Sequence, residues 1–290
     1  MTTGLDRLSR LASAAAAFDA DEQNSRLTTS KQAPLKQKSL YDYPKYYDLL
    51  FGSDWRPEFN FLRRCFADHA GRRVRRVFEP ACGTGRLLVK LAEAGYRVSG
   101  NDLNAGAVAF CNARLVRRGF KPTALVGDMS DFRLRQPVDA AFNLINSFRH
   151  LASEAAAQSH LRCIARALAP GGLYVLGLHL TPRGRPECDY ERWAARQGHL
   201  AATIEMRSLE VDRRRRQERV ELTLDVYRPT GSMRLVERLA FRTYTAGQFE
   251  KLLAGERSLE LVETYDFGYH RPVAVHQASE DVVFVLRKRA

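Results

Sequence analysis

One short stretch, Val77-Phe78-Glu79-Pro80-Ala81-Cys82-Gly83-Thr84-Gly85-Arg86-Leu87-Leu88, constrains the fold more than any other part of the sequence. It opens on an apolar strand start, passes through an acid and places two glycines one residue apart before a helix-like segment. Glycine lets the backbone turn sharply and approach a ligand closely. The helix that follows directs its positive N-terminal end at that ligand. A second short strand, Val98-Ser99-Gly100-Asn101-Asp102, again ends in an acid. In nucleotide-binding α/β folds an acid at that place accepts hydrogen bonds from a ribose diol.

The surrounding sequence repeats this strand–helix unit. Strand 77–80 leads to helix 86–94, strand 97–101 to helix 105–118, and strand 123–127 to an irregular loop. Strand 138–145 leads to helix 153–168 and then strand 173–180. Such alternation predicts the α/β class, with helices on both faces of a parallel sheet. Ligands of these sheets bind outside the carboxyl ends of the strands, where the glycine motif, Asp102, Asp128 and Asn143 to Asn146 all fall. After residue 185 the period changes to two: Val220, Leu222, Leu224 and Val226 alternate with Glu221, Thr223, Asp225 and Tyr227. That is a half-exposed strand. Segments 204–211 and 235–243 read as its partners, with a turn at Pro229-Thr230-Gly231-Ser232. A helix over 245–254 and strands 259–266 and 281–287 close the main sheet. The expected fold is therefore a doubly wound, mostly parallel seven-stranded sheet of Rossmann-like type with a small antiparallel β insert of three strands. The expected division is a flexible N-terminal arm (1–38), a cofactor-binding core with N-terminal lid helices (39–184), the insert as a substrate lid (185–245), and the end of the core sheet (246–290).

Composition narrows the function classes. Hydrophobic residues make up 45% of the 290, enough for a core of this size. No uncharged run reaches the roughly 18 residues of a membrane span, and no basic region precedes an apolar one at the N-terminus, so secretion is not expected. The five cysteines, Cys65, Cys82, Cys111, Cys163 and Cys188, are odd in number and widely spaced. They read as reduced thiols of a cytoplasmic protein without a zinc site. The net charge of +13 raises the question of a nucleic-acid partner. Its basic clusters, Arg72-Arg73, Arg75-Arg76 and Arg213 to Arg216, lie at separate element ends without interleaved aromatics, which argues against one.

A dinucleotide fingerprint needs a third glycine, where this chain has Leu88. The string E-P-A-C-G-T-G-R-L instead resembles the first motif of class I S-adenosylmethionine-dependent methyltransferases. Gly100-Asn101-Asp102-Leu103-Asn104 resembles that family's G-x-D-x-S, and Gly127-Asp128-Met129 its G-D-M. Leu168-Ala169-Pro170-Gly171-Gly172 resembles its L-x-P-G-G. The motifs follow the family's order and spacing over roughly residues 41 to 180.

The resemblance implies S-adenosylmethionine as cofactor. Glu79, Ala81, Cys82, Gly83 and Gly85 would line its methionine part. Asp102 would hold the ribose, with Leu103 beside it, and Asp128 and Met129 would meet the adenine. Asn143 lies in a segment that faces cofactor and acceptor in relatives. Tyr46, Tyr47 and Asp48 resemble the Y-D pair of the family's N-terminal lid, so Tyr46 is a cofactor candidate. Tyr47 is a catalytic one, since aromatic rings near a sulfonium stabilise its charge; ordinary packing is the alternative. His150 is either a general base or a helix-terminal histidine bonded to backbone. Trp193, Arg242, Tyr244 and Tyr269 are candidates for the substrate pocket. No metal is required for displacement at an activated methyl. The expected activity is N- or O-methylation of a small molecule by a monomer or homodimer. The RNA or protein methyltransferase and the non-catalytic cofactor-binding module are the alternatives.

Overall fold

The computed structural model describes residues 39–182 and 190–290. The arm expected over 1–38, and Cys188, lie outside the described residues. The main sheet contains β1 (Arg76–Pro80), β2 (Arg97–Asp102), β3 (Ala124–Val126), β4 (Val138–Asn143), β5 (Leu168–His179), β10 (Leu259–Asp266) and β11 (Asp281–Lys288). Their spatial order is β10-β11-β5-β4-β1-β2-β3. β11 runs antiparallel to both of its neighbours, and the other pairings are parallel.

Strands buried on both faces explain the apolar runs. Val77, Ala140, Val175, Val283 and Val285 point into one core with Phe61, Leu62, Leu88, Leu91 and Leu115. Phe78, Ala141, Tyr174, Leu176 and Phe284 point into the other with Leu161, Ile164 and Phe249. The Pro170-Gly171-Gly172 segment forms an irregularity inside β5, where pairing jumps from Val138–Leu168 to Ala140–Leu173. Gly171 has φ 73°. A Cβ there would stand 3.3 Å from the Gly71 backbone, so glycine permits the two chains to cross closely.

Six helices flank the sheet: α1 (Pro44–Phe51), α2 (Arg56–Asp68), α3 (Arg86–Glu93), α4 (Ala105–Arg117), α5 (Glu154–Ala167) and α6 (Ala246–Ala254). Local chemistry sets several of their starts. Asn104, Ser153 and Thr245 cap α4, α5 and α6 with their side-chain oxygens. Among the described residues no helix is long and apolar enough to cross a membrane.

The insert has four strands and not three: β6 (Tyr190–Gln197), β7 (Leu200–Asp212), β8 (Gln217–Arg228) and β9 (Gly231–Arg242), in that order. β6 shows no alternation because it is an outer strand on which only Trp193 is fully buried. Val220, Leu222, Leu224 and Val226 form the insert's own core, and Tyr46, Tyr47, Leu49, Leu50 and Phe51 of α1 pack against it. Helix α1 thus lies between the insert and the carboxyl ends of the parallel strands.

Candidate functional site

The glycine turn is built by backbone conformations that few residues adopt. Ala81, Gly83 and Gly85 have φ of 52°, 51° and 70°. A Cβ on Gly85 would fall 2.2 Å from Cys111 Sγ, so this position admits no larger residue. Gly85 also caps α3, whose first turn faces the same space. A crevice of about 540 Å³, open to solvent, lies over this turn. It is lined by Tyr47 and Phe51 from α1, by Glu79 and residues 81–84, by Arg86 and Leu87, and by Asn143 to Ile145 and Ser147.

Its most unusual group is Glu79. The carboxyl is half-buried, and Oε2 has no hydrogen-bond partner. Burial pushes it well above the usual carboxylate range, against the pull of Arg86. Arg86 does not pair with it. Its Nη1 donates to Glu58 Oε2 at 2.7 Å and to the Asp54 carbonyl at 2.8 Å, and its Nη2 donates to Glu58 Oε1 at 3.2 Å. Across the crevice Asn143 donates through Nδ2 to the Pro80 carbonyl at 2.9 Å, and its buried Oδ1 is also unpartnered. Two acceptors without donors suit a ligand group rich in N–H, such as an ammonium.

Asp102 joins the second strand to the turn. Its Oδ2 accepts from Gly83 N at 2.8 Å and its Oδ1 from Asn104 N at 2.8 Å. Leu103 beside it is 70% exposed, an apolar side chain standing free at the rim. Asp128 is exposed and accepts from the Ser130 backbone and hydroxyl. Met129 is buried, and its carbonyl is bonded to Nδ1 of the buried His160 at 2.8 Å.

His150 ends the turn Ser147–His150 that follows β4. Its Nε2 lies 3.1 Å from Tyr41 Oη, and its ring meets Phe241 of β9 edge-on at 4.9 Å. Crowding by these neighbours lowers its pKa, and Arg149 lowers it further against the opposing Asp102. It therefore stands neutral near pH 7. Tyr47 is held at 4.6 Å from Phe51, and burial raises its hydroxyl to about 12.

Tyr46, Tyr244, Arg242, Tyr269 and Trp193 lie away from the crevice wall. Tyr46 turns toward the insert and accepts from Arg228 Nη1 at 3.3 Å, because neighbours on a helix point about 100° apart. Tyr244 is fully buried among Phe148 and Phe249. Arg242 donates to Glu154 Oε2 at 2.9 Å and the Ala152 carbonyl at 3.3 Å, fastening the insert to α5. Tyr269 stacks on Phe61 at 4.6 Å within the main core. Trp193 is one layer removed: it is buried in the insert with its ring 5.3 Å from Phe51. Reading the sequence missed Tyr41, Phe51 and Arg86 as site residues. Arg86 is adjacent to the glycine motif, but its partner Glu58 is 28 residues away and no spacing rule connects them.

Comparison with known proteins bears on the domain and the fold. Residues 77–172 match the family model described as a methyltransferase domain. A dTDP-3-amino-3,6-dideoxy-alpha-D-glucopyranose N,N-dimethyltransferase of Streptomyces fradiae is 30% identical over 135 residues, which are 45% of this chain and 50% of that protein. The chain's match thus spans about half the length of the curated relatives. A sugar N-methyltransferase of a Streptoalloteichus species superposes with a TM-score of 0.68 at 21% identity, covering 93% of this chain and 100% of that one. An amino pentose methyltransferase of Micromonospora echinaspora gives 0.67 at 21% identity, covering 89% and 100%. At such identity these two likenesses establish the fold alone.

Proposed function

We propose that the chain, whose residues 77–172 match the methyltransferase-domain model, transfers a methyl group from S-adenosylmethionine to the amine of a small molecule. A nucleotide-linked amino sugar is the acceptor class that the Streptomyces fradiae relative suggests. The carrying observation is the unpartnered Glu79 Oε2 beside the open glycine turn. The cofactor, when bound, supplies a methyl activated by a sulfonium.

This chain's residues then have separable tasks. Glu79 and Asn143 would take the ammonium of the methionine end, and the backbone of residues 81–85 would face its carboxylate. Asp102 would hold the ribose hydroxyls with the lone pairs left over from Gly83 and Asn104. Asp128, Met129 and Leu103 would border the adenine. Tyr47 and Phe51 would close the crevice against water and offer ring faces to a cation. Holding an acceptor in line lowers the barrier by roughly 7–11 kcal/mol when the alignment is good. His150, neutral and bonded to Tyr41, would take up the proton that the methylated amine releases.

The test is incubation with methyl-labelled S-adenosylmethionine and either dTDP-3-amino-3,6-dideoxyglucose or fractionated cell amines. Expected is label in a small amine and none in RNA or protein. Label confined to RNA or protein would replace the acceptor class. Cofactor binding without turnover in any extract would make the chain a binding module.

A further inference from the structure

Helix α1 forms one wall of the crevice, and among the described residues one polar cluster fixes it to the glycine turn. Asp48, next to Tyr47 in sequence, accepts through Oδ1 from Thr84 Oγ1 at 3.0 Å and, in a short contact, from Arg114 Nη1. The same Nη1 donates to the Thr84 carbonyl at 3.3 Å. Three elements meet there: α1, the glycine turn and α4. Both charged side chains are largely sheltered, with relative exposures of 19% for Arg114 and 23% for Asp48. Charge-assisted bonds in such surroundings are about twice as strong as neutral ones. Gly52, which ends α1, makes room for the cluster: a Cβ there would stand 2.9 Å from Asp48 Oδ1 and 2.3 Å from the Asp48 carbonyl.

We propose that Arg114 is a positioning residue that clasps the lid helix onto the glycine turn through Asp48, so that cofactor exchange requires this clasp to open. The proposal rests on the reading of the crevice as the S-adenosylmethionine site. Tyr47 and Phe51 flank Asp48 on α1 and line the crevice together with Glu79 and Asn143. Tyr47 Cε1 comes within 4.0 Å of the Cβ position of Gly83. A ligand held between Glu79 and the turn would lie against Tyr47, and in this proposal it exchanges when α1 lifts. The clasp also sets the crevice: Thr84 is bonded through both its hydroxyl and its carbonyl, which holds the turn that carries Gly83 and Gly85.

A clasp and an ordinary brace differ in kinetics. Losing a ligand contact speeds release alone, whereas loosening a lid speeds both binding and release. The experiment measures association and release of S-adenosylhomocysteine on the full chain by stopped-flow fluorescence, for the unmodified protein, Arg114→Gln, Arg114→Lys and Asp48→Asn. Arg114→Gln should raise the release rate at least about tenfold and raise the association rate as well. Arg114→Lys, which keeps the point charge, should return release to within about threefold of the unmodified chain. Should Arg114→Gln fail to fold, Asp48→Asn carries the same expectation with almost unchanged shape. Rates within about twofold of the unmodified protein in a folded variant, or faster release with unchanged association, would overturn the clasp. An unmodified chain that does not bind S-adenosylhomocysteine would overturn the reading of the crevice itself.

Discussion

Asp102 uses both carboxylate oxygens on backbone amides, at Gly83 and Asn104, and so shapes the glycine turn before any ligand arrives. Asp102→Ala should therefore weaken S-adenosylmethionine binding by the loss of a charged hydrogen bond, roughly 1.5–3 kcal/mol, when titrated calorimetrically. Unchanged affinity in a folded variant would remove Asp102 from the ribose site. Residues of this kind were readable in the sequence because backbone geometry dictates them: Gly85 admits no Cβ, and the acid must end its strand. Tyr46 and Tyr47 were not separable, since two adjacent tyrosines on one helix face insert and crevice respectively. Arg86 and Arg114 act through Glu58 and Asp48, and such long-range pairs leave no local pattern.

Among the elements, the parallel strands and their helices were legible from apolar runs punctuated by glycines and caps. β6 was not, because an outer strand with one buried side chain has no period to read. The return of the insert carries a different surprise. Arg242 and Arg216 both donate to Glu154 in the first turn of α5, where a carboxylate also suits the helix dipole. Arg149 bonds the Arg242 carbonyl at 3.1 Å and pairs with Glu218. This junction is structural. Arg242→Ala should lower the melting temperature by about 2–4 °C, the equivalent of about 1 kcal/mol for a partly exposed pair, and leave cofactor affinity unchanged. A raised acceptor KM with an unaltered melting curve would instead return Arg242 to the acceptor pocket.

At the scale of the whole molecule, part of the basic charge gathers at the end of the sheet away from the crevice. Arg76 pairs in register with Arg97, the Arg97 amide bonds the Arg75 carbonyl, and Arg76 reaches Gln136. Arg75, Arg76 and Arg97 thus meet at the amino-terminal edge of the sheet, opposite the glycine turn. The insert, α1 and the carboxyl ends of β1 and β4 instead enclose a site whose buried acid lacks a partner.

That acid gives the most direct test. Free Glu79 is held toward its neutral form by burial, and an ammonium placed beside it would favour the carboxylate. Binding should then release a proton, and affinity should rise with pH from the ordinary carboxylate range up through the raised pKa of Glu79. The measurement is calorimetric titration of S-adenosylmethionine into the full chain, in buffers of different ionisation enthalpy, for the unmodified protein and Glu79→Gln. Micromolar binding with proton release that Glu79→Gln weakens and abolishes is the expected result. No binding by the folded chain, or equal affinity and equal proton release in the two proteins, would contradict a methyl-donor site at Glu79.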